Sequence, residues 1–158
     1  MTLHLPESER QRLTQLRDTA QRELQHLQTT TGRLFSSPFT ADELQALCQN
    51  EDFAERLDAF VARFGRLQDL IGDKFLPAWL RAMQEPPMAT VEMLDRAEKL
   101  GVLRSADEWV ALRKLRNRMV HEYLWQYADL RGALLAARDG VAALAWATDR
   151  LSHNANGL

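Results

Sequence analysis

Four side chains between Arg116 and Tyr123 could together act on a phosphodiester. Arg116 supplies a permanent cation, Asn117 a carboxamide, His121 an imidazole and Tyr123 a phenol. A guanidinium binds phosphate oxygens at two points and can stabilise charge that develops on a phosphoryl group. An imidazole exchanges a proton near neutral pH, so His121 could accept the proton of a ribose 2′-hydroxyl. Such a pair could cleave RNA without a metal ion, leaving a 2′,3′-cyclic phosphate and a free 5′-hydroxyl.

Helical geometry separates these side chains onto different faces. Asn117 and His121 are four residues apart, so the carboxamide could hydrogen-bond the ring and fix its tautomer. Arg116 and His121 are five residues apart, which is about 140° around a helix axis. Arg116 and Tyr123 also continue an apolar stripe formed by Trp109, Leu112 and Met119. Because burying an unpaired cation is expensive, we expect a carboxylate, a polar group of a partner subunit or a phosphate to compensate Arg116.

The same residues also have purely structural interpretations. A histidine near a helix C terminus can simply complement the helix dipole. Arg118 and Glu122 are four residues apart and could form an ordinary surface ion pair. Tyr123 lies near Trp125 and Tyr127 and could fill the core with its hydroxyl at the rim. Spacing alone therefore leaves the catalytic interpretation open.

The segment 104–118 is a local concentration of positive charge. It holds five cations and two acids, whereas the whole chain has a net charge of −2. The cations are Arg104, Arg113, Lys114, Arg116 and Arg118. Arg113, Lys114 and Arg118 are thus candidates for RNA phosphate contacts beside Arg116. A solvated helix face is the alternative interpretation of the same cluster.

Composition restricts the class of protein. A chain of 158 residues that is 46% hydrophobic can form one domain with its own core. Cys48 is the single cysteine and the polar start has no targeting pattern, so we expect a cytoplasmic protein without disulfides. No apolar run approaches the roughly 20 residues of a membrane span, so we expect no membrane association. Scattered histidines and the lack of a glycine-rich phosphate loop predict neither a metal site nor a cofactor.

Apolar periodicity predicts helices along almost the entire chain and no strands. The predicted segments are about 8–30, a short piece from 40, 53–83 with an interruption at Pro77, 90–100, 106–123 and 129–150. Capping-box matches occur at Ser8–Gln11, Thr40–Glu43 and Ser105–Glu108. Gly101 is predicted to be a left-handed cap, and Gly140 to mark the close approach of another helix backbone.

The predicted architecture is an all-α domain that spans residues 1–158. We expect an antiparallel four-helix bundle with one or two additional short helices, because short connections favour antiparallel neighbours. The core should extend over about 8–151, and the tail, 152–158, should be frayed.

Several segments of the chain together resemble the HepT-like toxins of the HEPN superfamily. Residues 116–123 match the Arg-x4-His-x-Tyr signature of those ribonucleases. The sequence FGRLQD at 64–69 is similar to their second-helix segment, and AEKLGVL at 97–103 to the short helix and turn before the motif. Residues 105–116 resemble the capped helix that leads into the motif. The resemblance covers roughly the central half of the chain, from Phe60 to Tyr127.

The resemblance implies a helical fold that forms a homodimer, with the arginines and histidines of both protomers in one composite cleft. Arg116 would stabilise the phosphate, His121 would act as general base or acid, and Asn117 would help orient one of them. RNA would be the substrate, and the partner a minimal nucleotidyltransferase antitoxin. That partner could silence the toxin by transferring AMP to Tyr123, since a bulky anionic group would block RNA and neutralise the arginines.

Two other functions fit the same sequence. The additional cations Arg113, Lys114 and Arg118 make a non-catalytic nucleotide- or partner-binding subunit of a nucleotidyltransferase credible. A helical dimer with an interaction role only is the third possibility. The leading prediction is a metal-independent ribonuclease toxin of a toxin–antitoxin module.

Overall fold

The computed structural model describes residues 4–122 and 126–158, and nearly all of them are helical. In chain order the helices are α1 (Glu7–Leu34), α2 (Ala41–Leu47), α3 (Glu51–Asp69), α4 (Leu76–Ala82), α5 (Thr90–Lys99), α6 (Ala106–Glu122) and α7 (Tyr127–Asn156). A π-helical segment, Leu70–Phe75, connects α3 to α4. No strand occurs within these described ranges, which confirms the predicted all-α class.

The four longest helices pack around a shared core. α1 contacts α3 and α7, and α6 contacts both α7 and α3. Two cross-helix contacts show that α1 and α3 run antiparallel: Arg66 reaches back to Glu23, and Arg56 donates to the carbonyl of Arg33. The short helices lie outside this frame, α2 on α7 and α5 on α6. A four-helix bundle with every neighbour antiparallel stays a prediction.

The apolar stripe of α3 continues into the π-helical segment. Its members, all buried, are Phe53, Leu57, Phe60, Phe64, Leu67 and Ile71. Pro77 interrupts the regular helix as predicted, because its ring has no N–H to donate and crowds the preceding turn. The turn before it widens, and Leu76 N–H bonds to the carbonyl of Ile71, five residues back. The chain stays helical across this wider turn.

Side-chain caps hold the starts of three helices. Thr40 accepts the N–H of Glu43, Asn50 that of Phe53, and Ser105 that of Glu108, at 3.1–3.2 Å. The capping box predicted at Ser8 is wrong, because α1 begins at Glu7 and Pro6 precedes it without a side-chain cap. Gly101 has a φ of 80°, which confirms the predicted left-handed cap beyond α5.

The helices α1 and α7 are longer than predicted. α1 passes through Gly32 and ends at Leu34. α7 continues to Asn156, so the prediction that residues 152–158 fray is wrong. Ser152 is buried, and the side chain of Asn156 accepts a hydrogen bond from Arg17 on α1. Packing against the first helix therefore holds the end of the last one.

Gly140 lies where α7 meets α6. A Cβ built at residue 140 would stand 2.4 Å from Cδ2 of Leu112. The close approach predicted for this glycine is present, but a side chain of α6 makes it rather than a helix backbone. No other helical residue type would leave this space for Leu112.

Replacing Gly140 by valine should destabilise the protein, because added methyl groups would force Leu112 out of a filled core. Overpacking of this kind costs about 1–3 kcal/mol. The matched control is Gly132→Val on the same helix, where a Cβ would meet nothing within 4 Å. Urea denaturation of both variants checks the expectation. Equal midpoints for the two variants would show that the Leu112 contact carries no cost.

Candidate functional site

Arg116 forms a bidentate ion pair with Asp69 across the interface of α6 and α3. Its Nη2 lies 3.0 Å from Oδ2 and its Nη1 lies 3.5 Å from Oδ1 of the carboxylate. The two side chains are 37% and 44% exposed, so water still reaches both charges. A carboxylate was one of the three groups expected to compensate the charge of Arg116, and Asp69 supplies it. At this exposure such a pair contributes at most about 1 kcal/mol, so it can open at little cost.

The arginine reaches Asp69 by crossing over Gly65. A Cβ at residue 65 would lie 2.9 Å from Nε of Arg116 and 3.4 Å from its Cγ. The stem of the arginine thus occupies the volume that any larger residue at position 65 would fill. α3 supplies both the space for this side chain and, one helical turn later, its counter-charge.

A second ion pair lies one turn away along the same interface. Arg113 Nη2 is 3.2 Å from Oδ1 of Asp73. Gly72 faces the indole of Trp109, and a Cβ there would lie 3.4 Å from its Nε1. Residues later in α3 and its π-helical continuation therefore face residues earlier in α6. The two helical segments thus run antiparallel.

Sequence reasoning missed Asp69 and Asp73 as members of the site. Their separation of four residues matches that of neighbours on one helix face, and Gly65 lies on the same face. Arg113 and Arg116 are three residues apart and form the matching pair on the motif helix. The sequence therefore contains two acids and two arginines at matching helical spacings. Only the packing of α3 against α6 shows that the acids and the arginines meet.

His121 and Asn117 lie on the outer surface of α6, and both are exposed. Within the described part of the chain, no hydrogen bond joins the carboxamide of Asn117 to the ring of His121. The orientation of the imidazole that the four-residue spacing predicted is therefore absent here. The helix places His121 away from the α3 side, where the guanidinium of Arg116 contacts Asp69.

The cations of the basic segment are divided between the two sides of α6. Arg113 and Arg116 face the α3 side, where each contacts an aspartate. Lys114 and Arg118 line a groove of about 690 Å³ between α6 and α7, on the other side. The basic segment is thus two surfaces and not the single patch that the sequence suggested.

Arg104, at the start of the basic segment, is engaged locally. Its Nε and Nη2 donate to Glu108 at 2.9 and 2.8 Å, and this hydrogen bonding raises the pKa of the arginine. The Glu108 carboxylate offsets its charge at the mouth of the α6–α7 groove. The predicted phosphate-binding candidates Lys114 and Arg118 line this groove together with the acids Glu108 and Asp139.

An apolar groove of about 340 Å³ begins at Arg116 and continues between α3 and α6. It is lined by Asp58, Val61, Ala62, Gly65, Met119 and Val120 as well as Arg116. Val120, at the side of this groove, is 52% exposed. The arginine therefore stands at the edge of a hydrophobic surface.

Tyr123, the predicted modification site, lies outside the described residues, as does the side chain of Glu122. The predicted Arg118–Glu122 ion pair and the AMP acceptor therefore stay predictions. Across residues 4–122 and 126–158, no three His, Cys, Asp or Glu side chains form a group that could hold a metal ion.

The chain matches no known protein family, no curated protein and no solved structure. The resemblance to the HepT-like toxins therefore remains an expectation from the quoted motifs. The site must be interpreted from its own geometry.

Gly65→Ala should displace Arg116 from Asp69 while the fold persists. The added methyl group would meet Nε and Cγ of the arginine, a flexible side chain that can move aside, and alanine favours a helix over glycine by about 1 kcal/mol. A change in the Arg116 Nε–Hε resonance, together with unchanged or higher stability in urea, would match this expectation. Gly32→Ala is the control, because a Cβ there meets nothing within 4 Å. An unshifted Arg116 resonance would contradict the close approach at Gly65.

Proposed function

We propose that this protein is an endoribonuclease toxin that cleaves RNA without a metal ion, using Arg116 and His121. The observation that carries the proposal is the bidentate Arg116–Asp69 pair beside an apolar groove. The guanidinium is held at a defined place on the surface but is still exposed to solvent and ligands. A few residues along the same helix, an exposed imidazole supplies a group that can exchange protons.

The proposed step is an internal transesterification. His121 takes the proton from the ribose 2′-hydroxyl, and that oxygen forms a bond to the adjacent phosphorus. The bond from phosphorus to the 5′-oxygen breaks, and the leaving oxygen takes a proton from solvent water to become a 5′-hydroxyl, while the imidazolium of His121 later returns its proton to solvent. Arg116 binds the non-bridging oxygens, whose negative charge grows in the transition state. The products are a 2′,3′-cyclic phosphate and a free 5′-hydroxyl.

A homodimer would bring the two groups to one substrate. On a single helix Arg116 and His121 are about 140° apart, so they flank a ligand rather than converge on it. A two-fold axis close to α6 would place the arginine of one protomer opposite the histidine of the other. The exposed Val120 and its apolar groove supply a hydrophobic surface that a second copy could cover.

The partner in this proposal is a minimal nucleotidyltransferase encoded with the toxin. It would neutralise the toxin by transferring AMP to Tyr123, two residues after His121. The added phosphate would carry negative charge that could compete for the arginines, and the nucleotide would obstruct the approach of RNA. Lys114 and Arg118, on the α7 side, would contribute phosphate contacts outside the reacting centre.

A non-catalytic binding subunit is the second candidate, and two observations favour it. Asp69 already neutralises Arg116, and within the described residues Asn117 does not hold the ring of His121. Such a site could bind nucleotide or partner phosphates without reacting. The two functions differ in whether the purified chain cuts RNA.

Purified, unmodified protein should cut single-stranded RNA in EDTA and leave 2′,3′-cyclic phosphate ends. His121→Ala should lower the rate by about 10²–10⁴-fold, the usual contribution of a general acid or base. Arg116→Ala should lower it by about 10²–10³-fold, the loss seen for one transition-state donor. Gel analysis of the cleavage products with end-group mapping measures both rates.

His153→Ala is the matched control, because it removes an exposed histidine from a different helix. It should cut as fast as the parent. A parent that does not cut, with Tyr123 free of AMP by mass spectrometry, would support the binding-subunit function. Cutting by either the His121 or the Arg116 variant at the parental rate would remove that residue from the site.

Co-expression with a cognate minimal nucleotidyltransferase should add one or more adenylate groups to Tyr123. The chain has two tyrosines, so Tyr127 provides an internal control. Tyr123→Phe should abolish the mass increase in intact-protein mass spectrometry, whereas Tyr127→Phe should retain it. Adenylation that survives Tyr123→Phe would place the acceptor elsewhere.

A further inference from the structure

We propose that Asp69 is a positioning residue that competes with the RNA phosphate for Arg116 and thereby favours internal phosphodiesters over terminal phosphates. The inference rests on the proposed function only in that Arg116 binds a phosphate of the substrate. Two of the N–H donors of this guanidinium already face the carboxylate of Asp69.

Asp69 occupies the end of the Arg116 guanidinium. The carboxylate faces Nη1 and Nη2 together, which is one of the two-point edges that arginine offers to an anion. The stem of the arginine passes over Gly65, where a Cβ would lie 2.9 Å from Nε. A phosphate that binds Arg116 through Nη1 and Nη2 must therefore displace the carboxylate of Asp69.

The exposure of the pair permits that exchange. Both side chains are more than one-third accessible, so a ligand can approach without unfolding any element. The neighbouring pair differs, because Arg113 contacts Asp73 through Nη2 alone and keeps more of its donors available. Asp69 thus controls the phosphate affinity of Arg116 in a way that Asp73 does not control that of Arg113.

The displaced carboxylate stays close to the bound phosphate and selects among anions. A phosphodiester carries one negative charge, whereas a phosphate monoester carries about 1.5 to 2 at pH 7. Repulsion from Asp69 grows with the charge of the ligand, so terminal monoesters lose more affinity than internal diesters. In the free protein the same carboxylate keeps the guanidinium over Gly65, ready for the exchange.

The test is binding of a single-stranded 2′-O-methyl RNA, which cannot be cleaved because its 2′-oxygen has no proton to lose. Asp69→Asn should tighten binding about two- to fivefold, the range expected when an exposed ion pair no longer competes. In an Arg116→Ala background the same substitution should change the affinity by less than about 1.5-fold, since the competition needs the arginine. Fluorescence anisotropy at constant salt measures all four proteins.

Inorganic phosphate serves as the second probe, in competition with the labelled oligonucleotide. Asp69→Asn should raise the affinity for both ligands. The change in the logarithm of the affinity should be about twice as large for inorganic phosphate as for the oligonucleotide. Asp58→Asn is the charge-matched control, because Asp58 lines the same groove without pairing with Arg116. It should produce less than half of the Asp69→Asn effect.

Three outcomes would overturn the inference. They are unchanged or weaker binding by Asp69→Asn, an equal effect of Asp58→Asn, and an undiminished effect in the Arg116→Ala background. RNA cleavage is assayed separately, so the two proposals fail independently. If the unsubstituted protein does not cut RNA but Asp69→Asn tightens binding in an Arg116-dependent way, this inference stands and the nuclease function is rejected. If the protein cuts RNA but Asp69→Asn does not tighten binding, the nuclease function stands and this inference is rejected.

Discussion

The ion pair between Arg116 and Asp69 is the contact on which the candidate site depends. Full burial of an arginine on the apolar stripe of α6 would carry a large desolvation free energy. Full exposure would leave the guanidinium without a fixed position. In the structure a carboxylate from α3 lies at hydrogen-bond distance from the guanidinium, and both side chains remain accessible to solvent. This compromise holds the cation in one place while leaving it exchangeable, as an anion-binding group requires.

Glycines at three positions allow α6 to approach its neighbours on both sides. Gly65 accommodates the stem of Arg116, Gly72 faces Trp109, and Gly140 of α7 receives Leu112. Side chains of the motif helix therefore fill space that its neighbours leave open. The helix that carries the proposed chemistry is held between two such surfaces, so the position of the arginine depends on packing far from the guanidinium itself.

The two faces of α6 suit different tasks in the proposed enzyme. The α3 side holds Arg116 beside an apolar groove, which is compatible with a reacting phosphate and a second protomer. The α7 side carries Lys114 and Arg118, which suit contacts along an RNA backbone. His121 lies between these faces on the solvent side of the helix, where access to a substrate requires no opening of the fold.

The sequence by itself determined the helices, two of the three predicted caps and the need to compensate Arg116. Those features depend on residues within one or two helical turns, where periodicity and capping rules apply. Tertiary structure alone decided that the compensation comes from Asp69, which is 47 residues away along the chain. It also decided which neighbouring helix each group of cations faces, and it extended α7 to Asn156 through contact with α1. Such pairings depend on which helices meet and in which register, and no local pattern encodes that.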